Sequence, residues 1–311
     1  MIGYIGRRTF SSLITVLLVS IVVFALVHFI PGNPAQVILG FRSTPYELGQ
    51  LRQALGLDKP LLTQYVNFWS GVVHGTMGTS LIYRSPVLGL VFPRLQVTLF
   101  LVIYSAFLSV LAGLPIGTIA ALQREKAIDQ GIRVILLIGV AVPAFWVGTL
   151  LILVFSLKIP LFPVGGYGKG SAGHLVSLFL PAVTLALWQT ALIARTLRTS
   201  VLEVVRMPYV DFARMKGLRP AAVLRRHILR NGLVSTVTIV GINVSFLLAG
   251  AVVVESVFSI PGSGSLLLQS VFARDYPVIE GITFVYAVLV ILINLITDLI
   301  YPLLDPRVRL E

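Results

Sequence analysis

VTLFLVIYSAFLSVLAGLPIGTIAA, Val97 to Ala121, runs for twenty-five residues without an Asp, Glu, Lys, Arg or His. A helix rises about 1.5 Å per residue and must cover about 30 Å of hydrocarbon, so about 20 mostly apolar residues suffice to cross a membrane. This stretch is long enough on its own, and it sets the scale for the rest of the chain. Five others match it, at roughly 10–30, 132–157, 175–195, 233–257 and 281–304. The stretch at 175–195 is the least apolar, because Pro181 interrupts it and Trp188, Gln189 and Thr190 follow. Neighbouring helices can satisfy backbone groups that a proline frees, so it still counts as a span. The expected fold is an all-α polytopic membrane protein with about six transmembrane helices, a single transmembrane domain over residues 1–311.

Composition agrees. Hydrophobic residues make up 57% of the 311 and charged residues only 12%, against about 45–50% and about 25% in soluble domains. The mean hydropathy is +0.95. So few charges cannot coat a water-soluble surface, which removes the soluble classes and, with them, nucleic-acid binding as the meaning of the +12 net charge. The basic residues instead fall between apolar stretches, where they set topology. With an inside amino terminus, Arg7, Arg8, Arg124, Lys126, Arg133, the basic residues from Arg195 to Arg230, Arg307 and Arg309 lie inside, sixteen of twenty-four. The two short outside loops hold only Lys158, Lys169 and Arg274. Both termini are expected to be cytoplasmic. The first apolar run, behind Arg7 and Arg8, is too long for a signal-peptide core and lacks a small-x-small cleavage site before Pro31, so it reads as a retained helix.

Two connecting regions are long. Residues 31–96 form an external region in which 45–55 and 63–73 read as short helices, the second amphipathic with Tyr65, Phe68 and Trp69 suited to a lipid interface; the region reads as an ordered cap over the helices before a dedicated ligand site. Residues 196–232 form a loop on the basic side. There Pro208 suits a first helical turn, Gly217 a helix stop and Pro220 the opening of a second helix toward the membrane. Val210, Phe212 and Ala213 offer the first helix an apolar surface flanked by Arg214 and Lys216. By physics alone, a helix resting on headgroups and a helix docking a soluble partner remain equally open.

Tyr209-Val-Asp-Phe-Ala-Arg-Met-Lys-Gly-Leu218, followed by Arg226-His-Ile-Leu-Arg-Asn231, resembles the EAA loop of ABC-importer permeases, in the form found in the dipeptide, oligopeptide and nickel permease family. Further matches follow in the family's order: Phe29-Ile-Pro-Gly-Asn-Pro34, Leu55-Gly-Leu-Asp-Lys-Pro60, Gly78-Thr-Ser80, Leu180-Pro-Ala-Val-Thr184, Arg195-Thr-Leu-Arg-Thr-Ser200, Glu255 to Gly262, Asp275-Tyr-Pro-Val278 and Asp305-Pro-Arg307. The resemblance covers nearly the whole chain. Asp-Phe-Ala replaces the generic triplet, and Ser235 stands where many relatives carry proline.

The resemblance implies a type I importer permease fold in a bacterial or archaeal inner membrane. It also implies that Pro208 to Lys216 is a coupling helix, with Tyr209, Val210, Asp211, Phe212, Ala213, Arg214, Lys216 and Gly217 as the ATPase-coupling residues. The partners implied are a second permease, two cytoplasmic ATPases that carry ATP and Mg, an extracytoplasmic substrate-binding protein, and lipid. The cargo implied is a short peptide, with glutathione or chelated nickel as alternatives in the same class.

The residues themselves carry no energy-converting site. Gly165-Gly-Tyr-Gly-Lys-Gly170 lacks the spacing and the hydroxyl of a phosphate loop and reads as a flexible outside loop. His28, His74, His174 and His227 have no metal-ligand spacing. Gly262-Ser-Gly-Ser265 has no motivated base, so no catalytic residue, metal ligand or cofactor is expected in this chain. A self-sufficient secondary transporter would need buried ion-coupling groups and often inverted repeats, and neither is evident. Polar groups in spans are costly and face protein or a wet path, which makes Gln189, Asn243, Glu255, Asn294 and Asp298 candidates either for lining that path or for bonding helices together.

Overall fold

A computed structural model of the protein describes residues 2–29, 34–39, 43–54 and 56–304. In chain order the helices are α1 (Ile2–Phe29), α2 (Pro34–Leu39), α3 (Pro45–Ala54), α4 (Leu61–Val73), α5 (Val87–Leu122), α6 (Ala127–Ala141), α7 (Ala144–Ile152), α8 (Gly170–Val205), α9 (Pro208–Met215), α10 (Pro220–Val223), α11 (Arg230–Val257), α12 (Ser263–Ala273) and α13 (Tyr276–Leu304). Wider π-helical turns follow α7 at Leu153–Lys158 and α10 at Leu224–Leu229. Among the described residues the only strand-like pairing is an isolated bridge between Thr79 and Pro86. Helix is the expected outcome, because lipid leaves a backbone N–H or C=O no partner outside its own segment.

Among the described residues five helices are long and apolar enough to cross: Gly6–Ala25, Val87–Leu122, Gly170–Val205, Thr236–Val257 and Tyr276–Thr297. The expected third span is not one rod. It is the pair Ala127–Ala141 and Ala144–Lys158, bent by 101°. Pro143 causes the break: it cannot donate a backbone bond, and it forces the residue before it out of the helical region, which is where Val142 sits at φ −81° and ψ 130°. Pro181, the more suspect proline from sequence, lies buried within a continuous 36-residue α8. Close packing of α8 against α6, α7 and α11 holds its course.

The chain divides into two compact units, Leu99–Ile260 with both chain ends, and Gly6–Thr98 with Pro261–Ile291. In the second unit, three stretches distant in sequence are fastened by hydroxyls and one carboxylate. Asp275, fully buried, accepts hydrogen bonds from the backbone N–H of Leu81 (3.0 Å) and Ile82 (3.3 Å) and from the Ser80 hydroxyl. The Gly78–Ser80 and Asp275–Val278 motifs are therefore two halves of one latch. Ser263 is buried with its hydroxyl 2.8 Å from that of Thr98 and 2.9 Å from that of Tyr286, and its N–H donates to Thr98. It is a structural serine at the start of α12, with no base against it among the described residues.

The α4 aromatics do not face lipid as expected. Tyr65 lies edge-on to Phe24 with its hydroxyl 2.8 Å from that of Ser20, while Phe68 and Trp69 both meet Phe284 edge-on at 5.6 Å. Protein rings and a hydroxyl partner are available on this side, so the amphipathic face of α4 turns inward. At the start of α3, Thr44 and Glu47 form a reciprocal cap: the Thr44 N–H donates to the Glu47 carboxylate (2.8 Å), and the Glu47 N–H to the Thr44 hydroxyl (3.3 Å). These bonds hold the Glu47 carboxyl below its usual pKa.

In the first unit the start of the glycine run packs against the turn after α11. A Cβ on Gly165 would lie 2.0 Å from the Phe258 carbonyl oxygen, and the Gly166 N–H donates to that same oxygen at 3.0 Å. The Tyr167 and His174 rings stack at 3.9 Å.

Replacing Asp275 by Ala removes the buried carboxylate that accepts from the Leu81 and Ile82 N–H groups and from Ser80, and should destabilise the second unit by about 1–3 kcal/mol. A fall in the apparent melting temperature of the purified protein, smaller for Asp275→Asn, is the expected reading.

Candidate functional site

α8 runs ten residues past the expected end of its span, to Val205, and so carries the chain clear of the apolar belt. Its approach is anchored by an ion pair that sequence reasoning did not single out. Arg198 on α8 grips Asp129 on α6 with two bonds of 2.7 Å, Nε to Oδ1 and Nη2 to Oδ2. The Glu125 N–H adds a third at 3.0 Å, and Arg133 stands 3.7 Å away. Asp129 is wholly buried, so its charge depends on these partners. The four-residue spacing of Asp129 and Arg133 was the signal available in the sequence; nothing there pointed to Arg198 across 69 positions.

Beyond Val205 the chain turns, and Met207 in extended geometry caps α9 with Pro208 at its first position. α9 closes on Gly217, whose φ of +72° is a conformation L side chains rarely adopt, although no atom crowds its Cβ position. Pro220 opens α10 at its first position, and helical geometry continues through the π turn into α11. The expected helix, glycine turn and second helix are all present.

The expected docking face needs correction. Val210 and Ala213 are buried, in a cluster with Ala121 of α5, Leu197 and Val201 of α8, Val223 of α10 and Ile228 of the π turn. One helical turn accommodates both inward residues and aims Phe212 (62% exposed) and Met215 (72%) the opposite way. Tyr209 and Met207 are exposed at the edge, and Asp211 and Arg214 form an exposed pair at 3.3 Å. The outward surface is thus Phe212 and Met215 with charges around them, while Val210 and Ala213 seat the helix.

Tyr209 also reaches across. The Asn231 side-chain N–H donates to the Tyr209 hydroxyl and to the His227 carbonyl, both at 2.9 Å. α9 is therefore tied to α8 by apolar packing and to the start of α11 by this hydrogen bond.

The candidate path residues are less unified. Gln189 is fully buried in α8, with neither amide atom hydrogen-bonded. The Trp188 and Phe246 rings lie 5.8 Å apart, and a Cβ on Gly250 would sit 3.1 Å from Leu185. That register puts Gln189 at the level of Ser245, whose buried hydroxyl also lacks a partner, and of buried Asn243. Asn294 on α13 is exposed. Glu255 is buried near the end of α11, away from that level. Asp298 belongs to α13, but its side chain falls outside the described residues, as do those of His28 and Ser235 and all of Arg307. No group of three or more metal-ligating side chains occurs among the described residues.

Comparison with known proteins decides the family. The model described as "Binding-protein-dependent transport system inner membrane component" matches residues 113–310, and its amino-terminal companion matches residues 1–111. The chain belongs to this family of transport permeases. Over the whole of both chains it is 36% identical to a putative peptide transport system permease protein of Brucella abortus. It is 38% identical to a probable peptide ABC transporter permease protein of Sinorhizobium fredii, covering 98% of this chain and 99% of the other. It is also 38% identical to the glutathione transport system permease protein of Escherichia coli K12, covering 99% of each. Among solved structures, a chain of the inward-facing MetNI methionine ABC transporter superposes with a TM-score of 0.59 at 20% identity, over 71% of this chain and 98% of that one. The permease is a multi-pass inner-membrane protein with a type I importer fold.

Replacing Asp129 by Ala should leave the partly exposed Arg198 guanidinium without its carboxylate and destabilise the permease by about 1–3 kcal/mol. An Asp129→Leu/Arg198→Met pair should recover most of that loss in thermal unfolding, since no unpaired charge remains. Gly217→Ala should cost about 1 kcal/mol through its backbone alone.

Proposed function

We propose that this permease is a membrane-spanning subunit of an ATP-driven importer of short peptides, and that α9 is the helix on which a cytoplasmic ATPase subunit docks. One observation carries the reading. α9 turns Phe212 and Met215 outward beyond the membrane-spanning helices, while its other side is locked into the permease core. Adjacent exposed apolar side chains on an otherwise basic loop mark a surface that a partner covers.

In this reading residues 196–232 and both termini are cytoplasmic, and residues 31–96 face the opposite side, where a binding protein delivers cargo. A homologous second permease completes the path. ATP and Mg act on the separate ATPase subunits, since this chain carries no phosphate loop. Closure of the ATPases displaces α9. The Val210 and Ala213 contacts pass that displacement to α8, and the Tyr209–Asn231 bond passes it to α11. These two helices carry the level of Gln189, Asn243 and Ser245, so one push shifts both walls between two packings. The π turn at Leu224–Leu229 lies between docking helix and span, where such turns serve as adjustable joints. Relatives named for peptide and for glutathione transport support a small peptide cargo; uptake of labelled dipeptides, oligopeptides, glutathione and chelated nickel distinguishes the four.

Phe212→Asp and Asp211→Lys should reduce co-purification of ATPase subunits at least about tenfold, the effect of losing one interfacial anchor, with normal membrane insertion. Tyr209→Phe should retain assembly but lower peptide-stimulated ATP hydrolysis. Wild-type assembly and uptake in all three variants would refute the docking role.

A further inference from the structure

A second surface lies on the same side of the permease, away from α9. A groove of about 560 Å³ is lined by residues of α6 and α8. Its rim is basic: Arg133 from α6, Arg195 and Arg198 from α8. Asp129 is the carboxylate these guanidinium groups share among the described residues, and Arg198 holds it bidentately. Arg133 reaches it only at 3.7 Å, and Arg195 has no ion-pair partner among the described residues. Below the rim the wall is apolar, with Val134, Leu137 and Val140 following one another down the exposed side of α6. From Arg133 to Val140 the helix descends about 10 Å, from the expected edge of the bilayer into its hydrocarbon.

We propose that this groove binds an anionic phospholipid, with the headgroup phosphate between Arg195 and Arg133 and the upper acyl chains along Val134, Leu137 and Val140. Guanidinium groups engage phosphate through paired, directional hydrogen bonds, and a basic rim over an apolar wall at the membrane surface matches an anionic lipid in both its parts. A neutral lipid satisfies only the wall, and a soluble anion only the rim. The lipid has a structural consequence as well. It bears on the same α6–α8 contact that the Asp129–Arg198 pair holds, so it steadies the helix that leads into the coupling loop. That the lipid belongs to the cytoplasmic leaflet rests on the coupling reading; the binding itself does not.

The test uses the assembled importer, purified in mild detergent and reconstituted in nanodiscs of phosphatidylglycerol mixed with phosphatidylcholine, with bound lipid counted by native mass spectrometry. The wild type should retain phosphatidylglycerol in preference to phosphatidylcholine. Each arginine near an anionic surface contributes enough to change binding about fivefold, so Arg133→Gln/Arg195→Gln should lower retention about twenty-five-fold while Arg198 and its pair with Asp129 stay intact. Val140→Trp fills the apolar wall without touching a charge and should displace the lipid as well. Equal retention of both lipids, unchanged phosphatidylglycerol in the double variant, displacement by transported peptide, or crosslinking of position 137 to the second permease would each overturn the proposal. Loss of lipid with intact ATPase assembly separates this inference from the docking role, which the Phe212 variant tests alone.

Discussion

Hydrocarbon offers a backbone N–H group no partner, and every feature of this permease follows from where that constraint applies and where it ends. Inside the expected bilayer the chain closes its own hydrogen bonds in long helices. At the edges it is free to do otherwise, and there much of the specialised geometry gathers: the π turn at Leu224–Leu229, the left-handed Gly217, and the loop in which Gly165 lies against the Phe258 carbonyl. The 101° break at Pro143 is the exception. Pro181 shows the complementary case, where packing on several sides keeps a proline-bearing helix straight enough to serve as one span.

The same division of labour shapes the coupling loop. α9 has only eight residues, too few to be stable alone in water. Val210 and Ala213 supply its stability by joining a core built from α5, α8 and α10, and their burial is what aims Phe212 and Met215 outward. A helix held this way can transmit force because it cannot tilt without disturbing α8 or stretching the Tyr209–Asn231 bond. The Asp129–Arg198 pair extends the same logic one step toward the membrane by fixing α6 to α8 just before the loop begins.

Much of this was legible in the sequence. The spans were written in apolar length, and the helix, glycine turn and helix of the loop in Pro208, Gly217 and Pro220, because each of these acts through its own backbone. What escaped was nonlocal. Sequence alone grouped Val210, Phe212 and Ala213 as one apolar face, since it could not say which side of α9 the core would occupy. It read Tyr65, Phe68 and Trp69 as lipid-facing because Phe24 and Phe284, which receive them, lie tens to hundreds of positions away. The meeting of Ser80 with Asp275 was visible only as two separate motifs, and the partner of Asp129 not at all. Of the candidate path residues, Gln189 and Asn243 share a level, while Glu255 does not join them.

The central claim is that α9 presents one face to an ATPase and keeps the other for the permease. The chain contains no cysteine, so single cysteines at positions 210, 212 and 215 can be crosslinked to the ATPase subunits of the assembled importer with a short reagent. The account predicts strong adducts from 212 and 215 and none from 210. Equal crosslinking from 210, or none from any of the three in an importer that still transports, would contradict it.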